Sequence, residues 1–264
     1  NSEKIRNLRI LIFAGDHGVA SAGVSAYPTD VTASMMLAFQ SGVSTINALA
    51  EVAGATVTAV DVGVGRPTKD IRYEAAMSPE RFEEAWEIGG KTVREMDCDL
   101  LVLGEMGIGN TTPSAAICAS LVGGDVESWV GRGTGVDDVG LARKCGAVEK
   151  AVSRVGSVNP YETLRQLGGT EIVAIAAAIA EAVAGALRGV ERRGEAAVEG
   201  GAEAVDGRRD VHAVVVGPVD RRALRAQVHM EDALFEEPVP IKEAPAPLTK
   251  AIVSMEVEAW RPRP

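Results

Sequence analysis

The chain has 264 residues, of which 46% are hydrophobic and 24% charged, with a formal net charge of −10. The length suits one large domain, or one domain with a small appendage, and the apolar fraction supplies a core, which excludes global disorder. The acidic balance and the 4% aromatic content exclude nucleic acid as a bulk partner, because phosphate binding needs clustered Lys and Arg and base stacking needs aromatics.

Three cysteines, Cys98, Cys118 and Cys145, without a C-x-x-C spacing support neither a disulfide scaffold nor a zinc ribbon. The opening NSEKIRNLRILIFAGDHG lacks the layout of a signal peptide, and the apolar run Ile172–Leu187 is alanine-rich and interrupted by Glu181. A cytoplasmic protein without membrane contact is expected.

Leu8–Ala14 is a nearly continuous apolar run ending at a glycine, which fits a buried parallel strand. Helical patterns follow from Thr29 and Asp30 through Phe39, closed by Gly42, and over Ser44–Glu51. Thr56–Val62 is the next strand. Pro79–Met96 is predicted helical, with Gly89–Gly90 as a kink. Leu100–Leu103 is a third strand, feeding GEMGIGNTT and a helix over Ser114–Val122; Ser128–Val130 reads as a short strand before GRGTG. Helices are predicted over Val136–Val155, Pro160–Leu167 and Glu171–Leu187, and a strand over Val211–Val216. Strands alternating with such helices predict an α/β fold, a doubly wound, mostly parallel sheet with helices on both faces. The texture changes near Leu187. Residues 1–187 are read as the α/β domain, and residues 188–264, which hold six of the twelve prolines from Pro238 onward, as a divergent or poorly ordered region.

Three strand ends carry candidate chemistry. Gly104–Thr112 lies between a strand and a helix, where glycines let the backbone approach an anion and the helix offers N–H groups; Asn110, Thr111 and Thr112 can donate to a phosphate or cap the helix. Spacing alone leaves both readings open. Gly131-Arg132-Gly133-Thr134-Gly135 is a second glycine turn, with Lys144 on the following helix, and the pairing of the two turns favours a phosphate-sized pocket with a cationic wall. Gly15-Asp16-His17-Gly18 follows the first strand; His17 is expected to cap or pack, while Asp16 stays open between bracing the turn and acting on a ligand. Asp61, Arg66 and Lys69 stand at the same level. With three histidines in the chain, no metal site and no Ser-His-Asp arrangement is expected. Carboxylates and backbone donors remain, a toolkit for group transfer on a sugar phosphate.

The segments IFAGDHGVASAGVSAYPTDVT, LGEMGIGNTT, VGRGTGVDDVGLARK and LGGTEIVAIAAAIAEA resemble, in order from about Leu8 to Ala184, the family of nicotinate-nucleotide:dimethylbenzimidazole phosphoribosyltransferases. The resemblance implies transfer of 5-phosphoribose from nicotinate mononucleotide to 5,6-dimethylbenzimidazole by a homodimer without a cofactor, on a doubly wound fold with a smaller helical part that is incomplete here. It implies that Gly107, Ile108, Gly109, Asn110, Thr111, Gly133, Thr134 and Gly135 hold the nucleotide, with Lys144 as a cationic contact and Asp16 at the same edge. Ser25, Tyr27 and Met35 would line the benzimidazole pocket.

The sequence departs from the family in two places. Ser34 replaces a usual glutamine, and the family's glycine-rich glutamate motif near the carboxyl end has no counterpart; Glu256 and Glu258 lack its glycines. Glu105 is the one in-register carboxylate nominated as base. The end of the chain is expected to be divergent, truncated or misread. The alternative is an impaired homologue that binds nucleotide or base without turnover, and a third reading is another doubly wound enzyme using the same glycine turns. Gly107→Val is expected to weaken nucleotide binding while sparing the fold.

Overall fold

The computed structural model describes residues 6–200 and 212–216, with side-chain surroundings through residue 185. Strand β1 (Leu8–Gly15) leads through a short 3-10 turn, Gly18–Ala22, to helices α1 (Val31–Gln40) and α2 (Thr45–Ala53) and then to β2 (Ala55–Gly63). Helix α3 (Pro79–Arg94) precedes β3 (Leu100–Met106), which feeds α4 (Thr111–Val122). Helices α5 (Asp138–Val155), α6 (Pro160–Leu167) and α7 (Thr170–Gly200) follow, and β4 (His212–Val216) closes the series.

The sheet order is β2-β1-β3-β4, and every pairing is parallel. Alternation along the strands divides the core in two. Leu11 and Phe13 of β1, with Leu101 and Leu103 of β3, face the larger cluster built with α3 to α7. Ile10 and Ile12 face the other way, toward Val102, Met106, Phe39, Ile46 and Ala50. The doubly wound layering is therefore present. Since β2 lies on one side of β1 and β3 on the other, the chain reverses its direction of travel at β1, and the crevice at the carboxyl ends of β1 and β3 is where ligands gather in open α/β sheets.

Local chemistry fixes several boundaries. Ser78 accepts from the Arg81 N–H at the start of α3, where Pro79 needs no donor of its own. Asp137 accepts from Gly140 N–H at 2.7 Å and sets the start of α5. Asn159 caps α6 in the same way through Glu162 N–H at 2.9 Å.

Four expectations change. Gly89–Gly90 is not a kink: α3 is continuous, and a Cβ on Gly89 would collide with the carbonyl oxygen of Ala174, so the glycine marks where α3 lies directly on the α7 backbone. The strand expected over Ser128–Val130 is not formed: Val126–Ser128 is a 3-10 turn, and Trp129 and Val130 are outside any strand. Strand β3 runs on through Gly104, Glu105 and Met106, because parallel pairing with β1 continues to Ala14↔Met106. Helix α7 crosses the change of texture at Leu187 and continues to Gly200. The remaining carboxyl-terminal residues, Glu256 and Glu258 among them, lie outside the described residues. Among the described residues no helix is long and apolar enough to cross a membrane.

Candidate active site at the strand ends

The two glycine turns meet. Lys144, on α5, is buried, and its Nζ donates to Thr111 Oγ1 at 2.9 Å and to the Gly131 carbonyl at 2.7 Å. Thr111 opens α4 directly after GEMGIGN, and Gly131 opens GRGTG, so one ammonium joins both segments. A Cβ on Gly133 would stand 3.0 Å from both Lys144 Nζ and Thr111 Oγ1, and the φ of Gly133 is +52°, so a side chain there meets strain and the bridge together. Burial lowers the Lys144 pKa. Its two partners are neutral oxygens, which leaves a positive charge beside the amino end of α4, a combination suited to a phosphate.

The segment after β1 joins the same edge. Thr134 Oγ1 lies 3.0 Å from Ser25 Oγ and accepts from the Ala26 N–H at 3.0 Å. Arg143 Nε donates to the Gly23 carbonyl at 3.1 Å. The Ile108 N–H donates to Thr32 Oγ1 at 3.2 Å, tying GEMGIGN to α1. Ser25 is thus beside the GRGTG turn, while Tyr27 is exposed and Met35 half-buried; Met36 is the α1 methionine in the core. Gly109 takes φ +89° and Gly135 φ +95°, conformations open to glycine. Asp16 braces the neighbouring loop, its Oδ2 accepting from Gly65 N–H at 2.7 Å. Asp61 accepts from the N–H groups of Gly63 and Val64, and Arg66 pairs with Glu84 at 2.8 Å. Asp61 thus braces a turn, and Arg66 makes an exposed ion pair.

Gly107 also has a packing part. A Cβ there would lie 2.5 Å from the Gly15 carbonyl oxygen and 2.8 Å from His17 Nε2. The glycine lets the ends of β1 and β3 close on each other, so Gly107→Val would damage the fold as well as the site.

Beneath this surface lies a buried charged cluster. His17 Nε2 sits 2.9 Å from Glu171 Oε1, with both side chains fully buried, in an ion-pair contact off the line of an ideal hydrogen bond. Burial opposes protonation of His17, but the Glu171 carboxylate, helped by Glu105 and Asp16, overcomes it and raises the imidazole pKa above 6.5. Glu171 lies in the first turn of α7, whose dipole favours its negative charge. Glu105 continues the inward face of Leu101 and Leu103, and its carboxylate accepts from Asn110 Nδ2. Desolvation, with repulsion from Glu171, pushes its pKa up to about 8, against the pull of His17 and Asn110. Thr170 Oγ1, Asp16 Oδ1 and His17 Nδ1 are buried there without partners among the described residues. Sequence reasoning misses Glu171 as a site residue, since it reads as a helix start. The available signal is the Gly168-Gly169-Thr170-Glu171 run: a Cβ on Gly169 would collide with the imidazole.

Residues 1–188 match the family described as Phosphoribosyltransferase. The chain belongs to that family. The nicotinate-nucleotide--dimethylbenzimidazole phosphoribosyltransferase of a Ruegeria species is 47% identical over 176 residues, covering 67% of this chain and 52% of that protein. The enzyme of the same name from Methylorubrum extorquens is 48% identical over 172 residues, covering 64% and 50%. The chain thus spans about half the length of the curated relatives it matches. The crystal structure of CobT from Thermus thermophilus superposes with a TM-score of 0.73 at 29% identity, covering 97% of this chain and 74% of that one. The phosphoribosyltransferase segments that match include both glycine turns and Lys144.

Proposed function

We propose that this chain transfers 5-phosphoribose from nicotinate mononucleotide to 5,6-dimethylbenzimidazole, giving α-ribazole 5′-phosphate and nicotinate. One observation carries the reading: Lys144 draws both glycine turns to the amino end of α4 at the carboxyl ends of the strands, where an anion is favoured by charge and by helix dipole. The names of the relatives that span this segment supply the substrates.

The phosphate and ribose lie against Gly107–Thr111 and Gly133–Gly135, with Lys144 as the cationic contact. The acceptor lies toward Ser25, Tyr27 and Met35. The pyridinium nitrogen of the donor is already cationic, so the bond from C1′ to nicotinate breaks with the electron pair moving to the ring, and nicotinate leaves without a proton donor. The unprotonated benzimidazole nitrogen attacks C1′ from the opposite face, which inverts the anomeric centre. The proton left on the other ring nitrogen passes to a carboxylate, and Glu105 is the group assigned to take it. A carboxyl whose pKa lies near 8 holds that proton better than an ordinary glutamate.

The protein acts as a homodimer in the cytoplasm. Support for the dimer comes from Leu37, Val43, Leu49 and Val52, which stand exposed on α1, α2 and the turn between them. Support for the compartment comes from three free thiols.

The test is chromatographic. Incubation of the chain with nicotinate mononucleotide and dimethylbenzimidazole should release nicotinate and form α-ribazole 5′-phosphate in equal amounts, and omission of the base should abolish both. Binding of both ligands without either product would reject turnover and leave a binding protein.

A further inference from the structure

We propose that His17 and Glu171 are positioning residues for Glu105: a sealed imidazolium–carboxylate pair whose positive member lets Glu105 give up and take back its proton. The inference rests on the phosphoribosyl-transfer reading for its use, and on the buried His17–Glu171 contact beside the end of β3 for its existence.

The charged groups come from three elements. Glu105 is on β3, Glu171 on the first turn of α7, and Asp16 and His17 directly follow β1. In the β1–β3 ladder Phe13 pairs with Glu105 and Ala14 with Met106, so Glu105 stands two residues before Gly107, where a Cβ would lie 2.8 Å from His17 Nε2; Glu171, Glu105 and Asp16 are the charged groups that act on His17. Glycines lie against the pair. Side chains at Gly107 or Gly169 would strike the imidazole, and one at Gly15 would reach Glu171 Oε2 at 2.9 Å. Backbone at Gly107 and Gly169 thus lies close against His17, and backbone at Gly15 close against Glu171. The pair has no outlet of its own to solvent, since both side chains are fully buried, so it does not itself contact the substrate.

The electrostatics then assign the direction. With His17 protonated and Glu171 ionised, the pair is neutral, and Glu105 can ionise beside it. Without the imidazolium, ionised Glu105 would face Glu171 with no compensating charge, and like carboxylates in one site do not both ionise. A merely structural pair would hold α7 to β1 and leave the titration of Glu105 unchanged.

The test reads the Glu105 proton by infrared titration, the protonated carboxyl band being assigned by its loss in E105Q. In H17Q that band should persist to higher pH than in the natural chain, by about one unit or more, an about tenfold smaller ionised fraction at a given pH. Coincident titrations in a folded H17Q would overturn the proposal. A second measurement does not depend on the folding of H17Q. Replacing His212 and His229 by Gln leaves His17 as the sole histidine of three, and nitrogen NMR of that variant should show both ring nitrogens protonated at neutral pH. A neutral imidazole there would equally overturn it. Neither readout requires turnover, so failure of the nicotinate-release assay would reject the transferase reading and leave the pair to be judged separately. Where turnover is present, the pH profile of acceptor-dependent release should move upward in H17Q with the KM for nicotinate mononucleotide unchanged. An unmoved profile with a uniform loss of rate would reject the positioning role.

Discussion

Glu105, desolvated and repelled by Glu171, does not behave as a free acid, and neither does the imidazole of His17 against the Glu171 carboxylate. If Glu105 receives the acceptor's proton, Glu105→Gln should lower the rate of α-ribazole 5′-phosphate formation by about 10²–10⁴-fold, with nicotinate mononucleotide binding little changed; steady-state kinetics beside a binding titration check this. The effect on stability has its own sign. Glu105 binds its proton more tightly folded, its pKa rising from 4.5 to about 8, and His17 is likewise raised above 6.5. Between those folded values and their ordinary ones the native state holds more protons, so stability falls as pH rises. For Glu105 the window is 4.5 to about 8; for His17 it opens at 6.5 and ends at the raised folded value. Denaturant midpoints should therefore be higher near pH 6 than above pH 8, with a shallower decline in Glu105→Gln. A midpoint that rose over that range would contradict the assignment of charge.

At the scale of elements, close backbone approach does work that side chains do elsewhere. Helix α3 rests on α7 through Gly89, where any Cβ would meet the Ala174 carbonyl. Since that neighbour is backbone rather than a flexible side chain, Gly89→Ala should destabilise by about 1–3 kcal/mol, against the gain in helix propensity an alanine ordinarily brings. Thermal or denaturant unfolding checks the sign. The sequence pattern locates α3 and α6 well because Ser78-Pro79 and Asn159-Pro160 are start signals with a mechanism. It misreads Gly89–Gly90 because a glycine that weakens a helix and one that admits a neighbour look alike until the neighbour is known. It ends β3 too soon for a related reason: Gly104 suggests a loop, while pairing with Ile12 keeps it in the sheet.

Over the whole molecule, strand–helix alternation is enough to foresee a parallel, doubly wound sheet, because long crossovers leave few other arrangements. The meeting of the glycine turns is also foreseeable, since both follow strands or lead into helices at one edge. The layer underneath is not legible in the same way. Glu171 is 154 positions from His17 in the numbering, and no local pattern announces that a helix-start glutamate will be sealed against an imidazole. Lys144 reads in the sequence as a surface cation or a ligand contact, whereas it is buried and ties two loops. Burial of an ammonium between neutral oxygens is intelligible if a phosphate completes its surroundings. The most direct measurement is therefore calorimetric titration of nicotinate mononucleotide, and of its phosphate-free riboside, into the natural chain and Lys144→Met. The variant should lose at least about tenfold in nucleotide affinity, about 1.4 kcal/mol, while the riboside binds each protein alike. Equal nucleotide affinity in a folded Lys144→Met would contradict a phosphate site between the two glycine turns.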